Sequence, residues 1–170
     1  MAHQREACPP RRHKLFSRDL GDACPYIRPM TSIQEIRDDF SLLDEWEDRY
    51  RYIIDLGAAL PPFPDEARVD AFKVPGCVSR VWLTTRIGNG PDPILEFQGD
   101  SDAHIVRGLV AVILALFSGQ RASEIMAKDA DVLLKELGLD EHLSPQRANG
   151  LRSMVKRIKR DAELALKQTA

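Results

Sequence analysis

From Ile33 onward the apolar residues change period several times, and each change marks an element. Ile33, Ile36, Phe40 and Leu43 recur at helical spacing, and Ser32 with Glu35 forms a capping box that opens this helix. Asp44 can cap a second helix, in which Trp46, Tyr50, Ile53, Ile54, Gly57 and Leu60 share a stripe. Pro61, Pro62 and Pro64 stop it, and a short helical segment is expected around Asp65–Asp70. The period then drops to two. Val81, Leu83, Thr85 and Ile87 alternate with Arg80, Trp82, Thr84 and Arg86, the pattern of a half-buried strand. Turn residues from Gly88 to Pro93 and the run Ile94–Gln98 complete a hairpin.

Gly99-Asp100-Ser101-Asp102 follows, acids and a hydroxyl placed to cap a buried helix from about Ala103 to Ser118, which Gly119 ends. Shorter helices are expected over Ala122–Lys128 and Ala130–Leu137, with Gly138 as a stop. Ser144-Pro145 then opens a closing helix that buries Leu151, Met154, Val155, Ile158 and Ala162. Its basic set, Arg152, Lys156, Arg157, Lys159 and Arg160, falls largely on the opposite, solvated face. The class that results is α+β, a small antiparallel sheet covered on one side by helices.

Composition limits what such a body does. At 170 residues and 44% apolar content the chain has enough material for one core. Residues 1–29 carry six Lys/Arg against three acids, whereas the remainder holds 18 basic and 23 acidic residues. A body of net −5 is a poor fit for nucleic-acid backbones. The longest apolar run, Ile105–Phe117, is 13 residues and contains Arg107, too short for a membrane span. Residues 1–29 lack sustained periodicity and the apolar middle of a secretory signal. They are expected to be a disordered extension or an over-long N-terminus, ahead of a single domain over 30–170. No pair among His3, Cys8, His13 and Cys24 has a familiar ligand spacing, so no metal site is expected. Three cysteines without a C-x-x-C pair argue against a disulfide framework and fit a reducing, cytoplasmic setting.

Chemistry concentrates at Cys77, in Lys73-Val74-Pro75-Gly76-Cys77-Val78-Ser79-Arg80. Pro75 stiffens the loop and Gly76 permits a bend there. Two readings stand open. Cys77 is a small apolar filler, as unpaired cysteines often are, or it is a nucleophile presented on a loop. A nucleophilic thiolate needs positive charge nearby, for which Lys73, Arg80 and Arg147 are the candidates. Asp100 reads first as a helix cap. His104 and His142 raise a Cys–His dyad, although a lone helical histidine is more often structural.

Four blocks in order turn these readings toward one family. Gly76-Cys77-Val78-Ser79-Arg80-Val81-Trp82-Leu83 resembles the G-C-x-S-x-V-W signature of the SufE family of sulfur-acceptor proteins. The run Asp48 to Gly57 resembles that family's first long helix. Gly99-Asp100-Ser101-Asp102 with Ile105 to Leu109 resembles its turn and central helix. Leu143 to Leu151 resembles its L-[ST]-x-x-R-x-x-G-L helix start. Val78 and Arg80 depart from the glutamines that several members carry, and residues 1–29 match nothing in the family. The resemblance implies a SufE/IscU-like fold and a defined task. Cys77 would accept persulfide sulfur from a pyridoxal-phosphate cysteine desulfurase of the SufS or CsdA type, stimulate it, and pass sulfur to a scaffold complex of the SufBCD type. It implies no cofactor bound by this chain, and supporting or partner-binding roles for Arg147, Asp100, Lys73 and Arg80. The alternatives are a thiol-dependent hydrolase and an iron–sulfur scaffold, the latter normally needing several cysteine ligands.

Overall fold

The reciprocal cap expected at Ser32 closes as the sequence predicts. Ser32 Oγ accepts from the Glu35 amide at 3.2 Å, and Glu35 returns a carboxylate to the Ser32 amide at 2.7 Å. That carboxylate is held below its usual pKa by these bonds. In the computed structural model, which describes residues 31–168, this cap starts α1 (Ile33–Leu42), and α2 (Trp46–Ala58) follows. The extension expected over residues 1–29 lies outside the described residues. Asp44 is not the cap of α2. The helix begins at Trp46, with Glu45 in the cap position and no side-chain cap bond.

After two short 3-10 turns, Asp65–Ala67 and Asp70–Phe72, come strands β1 (Val81–Ile87) and β2 (Ile94–Ser101), then α3 (His104–Phe117). A two-residue strand β3 (Gln120–Arg121) precedes α4 (Ala122–Ala127), α5 (Ala130–Glu136), α6 (Leu139–His142) and α7 (Pro145–Gln168). The sheet is antiparallel in the order β1-β2-β3. Gly138, at φ +65°, ends α5 and leads directly into α6, a turn of helix the sequence reading did not foresee. At α7 the predicted start is present, with Ser144 Oγ accepting from the Arg147 amide at 3.4 Å.

The core lies between the sheet and a layer built on α2, α3 and α7. Helix α3 is its centre, with Leu109, Val112, Ile113, Leu114 and Phe117 essentially sealed from solvent. Burial of each such side chain stabilises the fold by roughly 1.5–3 kcal/mol. Helix α2 reaches α3 because Gly57 and Gly108 face each other. A Cβ on Gly108 would stand 2.0 Å from the Ile53 carbonyl oxygen. Helix α7 joins through Leu151, Met154, Ile158, Ala162 and Ala165, all buried. Asp161 fastens it to the sheet by accepting from Thr85 Oγ1 at 2.6 Å.

Two expectations about the strands change. The alternation along β1 predicts Trp82 outward and Ile87 inward, yet Trp82 is buried and Ile87 is exposed. Trp82 packs with Phe63 and Ala67, so the proline-rich segment after α2 covers part of the second face. Ile87 lies near the hairpin turn, past that cover. Strand β2 also runs on through Gly99-Asp100-Ser101, which pair with Leu83, Trp82 and Val81.

Candidate functional site

Residues 75–80 form a loop with both feet fixed. The Val74 amide donates to the Val81 carbonyl at 2.8 Å, and Lys73 bridges Trp82. On the exit side, Asp102 accepts from the Arg80 amide at 3.0 Å, and Ser101 Oγ donates to the Arg80 carbonyl at 2.8 Å. Between these anchors Gly76 adopts φ +83°, a conformation that other residues resist. The chain therefore turns and sets Cys77 down on α7. Its thiol donates to the Gly150 carbonyl at 3.5 Å.

Cys77 is half-buried and unpaired. Beside it lies a cavity of about 300 Å³, lined by apolar side chains of α3 and α7 (Val106, Leu109, Val110, Leu151 and Met154). Gln146 and Arg147, from the first turn of α7, add a polar rim. Burial pushes the Cys77 thiol above its ordinary pKa, because removing water disfavours the thiolate. The protonated thiol is thus the form this seating favours, and water or a cation beside the sulfur would favour the thiolate instead.

Of the predicted cations, Arg147 alone lines the cavity with Cys77. Arg80 is engaged elsewhere: its Nε bonds Asp102 at 3.0 Å and its guanidinium lies 5.8 Å above the Trp82 ring. Lys73 serves through its backbone, at the foot of the loop. Asp100 does not cap α3, whose first residue follows Ala103 with no side-chain cap bond. It is buried instead, at 3% exposure, within an arginine clamp. Arg68 donates to its Oδ2 from Nη2 at 2.7 Å, and Arg107 Nε stands 3.1 Å from Oδ1 as an ion pair without hydrogen-bond alignment. The clamp ties the segment before the loop, through Arg68, to β2 and α3. The sequence reading missed Arg68, since nothing local links it to a carboxylate 32 residues on. Gly150 stood within the Leu143 to Leu151 motif but received no role there, although its place inside a helix was a signal.

Neither histidine meets the thiol. His142 stacks on Trp46 with ring centroids 3.9 Å apart, and neither it nor His104 lines the cavity. Among the described residues a Cys–His hydrolytic dyad is therefore not assembled. Among the described residues no three His, Cys, Asp or Glu side chains are grouped to hold a metal ion. Also among them, no helix is long and apolar enough to cross a membrane.

The described residues thus form a small α+β body that seats a half-buried thiol on an anchored loop beside an apolar cavity. Residues 34–162 match the SufE family, described as the Fe-S metabolism associated domain, and the chain belongs to that family. An uncharacterized SufE-like protein of Rhizobium meliloti is 61% identical over 135 residues, covering 79% of this chain and 96% of the relative. The sulfur acceptor protein CsdE of Escherichia coli is 41% identical over 126 residues, covering 74% and 84%. A solution structure of a hypothetical protein from Thermus thermophilus superposes with a TM-score of 0.62 over 79% of this chain and 96% of that one. At 17% identity it speaks for the fold.

Proposed function

We propose that this protein is a sulfur acceptor of iron–sulfur metabolism, which takes persulfide sulfur from a cysteine desulfurase onto Cys77. The observation that carries the reading is the seating of that thiol: half-buried, on a loop that turns at Gly76, over an apolar cavity with Arg147 at its rim. The sulfur-acceptor relative from Escherichia coli supports it.

The transfer needs one thiol and no net oxidation. The Cys77 thiolate attacks the outer sulfur of the donor's cysteine persulfide, and a new sulfur–sulfur bond forms on Cys77. The bond between the donor's two sulfurs breaks, and the donor leaves as a thiolate that takes a proton. The seated thiol is protonated and shielded, so transfer begins with displacement of the loop. Arg147 then favours the anionic forms of the sulfur. Once loaded, the persulfide folds back beside Val106, Leu109 and Met154, away from stray thiols and oxidants. Delivery to a scaffold complex repeats the exchange, with Cys77 as the leaving group.

The experiment mixes the protein with a cysteine desulfurase, its pyridoxal phosphate and free cysteine, and follows intact mass and alanine release. One added sulfur on the Cys77 peptide, removable by reductant, is expected, together with faster alanine release. Cys77→Ser abolishes both, whereas Cys8→Ser and Cys24→Ser abolish neither. Sulfur added elsewhere, or normal relay by Cys77→Ser, overturns the reading.

A further inference from the structure

Gly150 occupies the second turn of a 24-residue helix, a position where glycine is among the least favourable residues. Its backbone gives no reason for it, since positive φ occurs at Gly76, Gly90, Gly119 and Gly138 and not here. What the missing side chain leaves is space for Cys77. A Cβ on Gly150 would stand 3.1 Å from the Cys77 Sγ, 3.6 Å from its Cβ and 3.7 Å from its Cα. The same glycine supplies the carbonyl that receives the thiol proton.

Ser153, three residues on and on the same side of the helix, completes the surface. Its Oγ lies 2.9 Å from where a Cβ on Gly76 would project. Two consecutive loop residues thus rest on two positions of α7. The helix beneath them cannot yield, because its neighbouring residues Leu151 and Met154 are buried in the core. The loop above can, being held mainly at its feet.

We propose that Gly150 is a positioning residue for Cys77: its bare backbone is the seat that keeps the sulfur-bearing loop closed, and filling that seat releases the loop. The seat fits a protonated thiol, which has a hydrogen to offer the carbonyl. A thiolate has none and meets a carbonyl oxygen head-on. Arg147, the charged residue lining the cavity among those described, stands at its rim, where it favours an anionic sulfur that has left the carbonyl. Ionisation and release of the loop therefore assist each other. The inference deepens the sulfur-acceptor reading and rests on it for its meaning in the cell, while the seat itself is measurable without any sulfur donor.

The test compares the full-length protein with Gly150→Ala and Gly150→Val. It follows alkylation by iodoacetamide at the Cys77 peptide by mass across a range of pH, with thermal unfolding run in parallel. The sulfur must give way by a few tenths of an ångström, and the lower end of the usual overpacking cost corresponds to roughly a fivefold shift in the loop population. Alkylation near neutral pH is expected to accelerate by at least that factor in the alanine variant and further in the valine variant. The midpoint of the pH–rate profile moves down toward an ordinary thiol. The alanine variant keeps or raises the unfolding temperature, because the helix itself gains. An unchanged or slower rate in folded Gly150→Ala overturns the seat, and that variant decides the matter should Gly150→Val not fold. Faster alkylation in a protein that no desulfurase loads leaves the seat standing and sinks the sulfur-acceptor reading instead.

Discussion

Gly108 and Gly150 are both helix-interior glycines, and they do opposite things. At Gly108 the absent side chain lets two backbones touch, and a Cβ there would stand 2.0 Å from the Ile53 carbonyl oxygen and 2.6 Å from its carbon. Gly57 answers from α2, where a Cβ would come within 2.5 Å of the Gly108 nitrogen. Both partners are helices within the core, so nothing can move aside. At Gly150 the nearest atom is a sulfur on a loop of six residues. One glycine locks the scaffold; the other makes room for the loop that carries Cys77. Close approach of small residues thus marks rigidity or mobility according to what lies across the contact.

Gly108→Ala tests the rigid side and carries the largest effect. It is expected to cost about 3 kcal/mol, the upper part of the usual range for overpacking, read as a lower urea midpoint. Should it be tolerated while Gly150→Ala unfolds the protein, the contrast is reversed. Asp100→Ala comes next. It strips the carboxylate from between Arg68 and Arg107, whose side chains are 35% and 29% exposed. Water reaches both arginines, so the loss is expected near 2 kcal/mol, below that of a fully buried pair. Chemical denaturation measures it.

The smallest effect sharpens the mobile side. Burial raises the folded Cys77 pKa above its unfolded value, so the folded state retains more protons in the alkaline range. Stability from this group is full below the unfolded thiol value and is lost as pH rises through the folded one. Cys77→Ser is expected to change stability at neutral pH by less than about 1 kcal/mol. It should also flatten the alkaline decline relative to wild type. Comparing the two proteins isolates this thiol from Tyr52, whose pKa is also raised, by burial and by its bond to Asp39. Urea titrations at several pH values read the difference.

Local chemistry was legible in the chain and long-range chemistry was not. The Ser32–Glu35 cap, the Ser144–Pro145 helix start and the hairpin around Gly88–Pro93 each depend on residues a few positions apart, and each stands as expected. Gly99-Asp100-Ser101 looked like a cap because its residue types favour caps. It became strand because β1 pairs along it and two arginines hold Asp100 in place. The two residues of β3 are too few to leave a periodic trace. At the site, Cys77 stood out through its loop composition. Which of Lys73, Arg80 and Arg147 would line its cavity could not be read, since periodicity gives no direction for side chains on an irregular loop. Asp102 and Trp82 claim Arg80, and both are identified by fold alone.

The anchoring of the loop at Val74 and Arg80 limits how far the Cys77 sulfur could travel in the proposed transfer. Five residues lie between those feet, so a released sulfur would reach out on about three residues of chain, roughly 10 Å at full extension. A giver or taker whose own sulfur lies deeper than that from the meeting surface is out of range. Such a partner must bring its reactive atom nearly to its mouth, and the length of this tether screens the company the protein can keep.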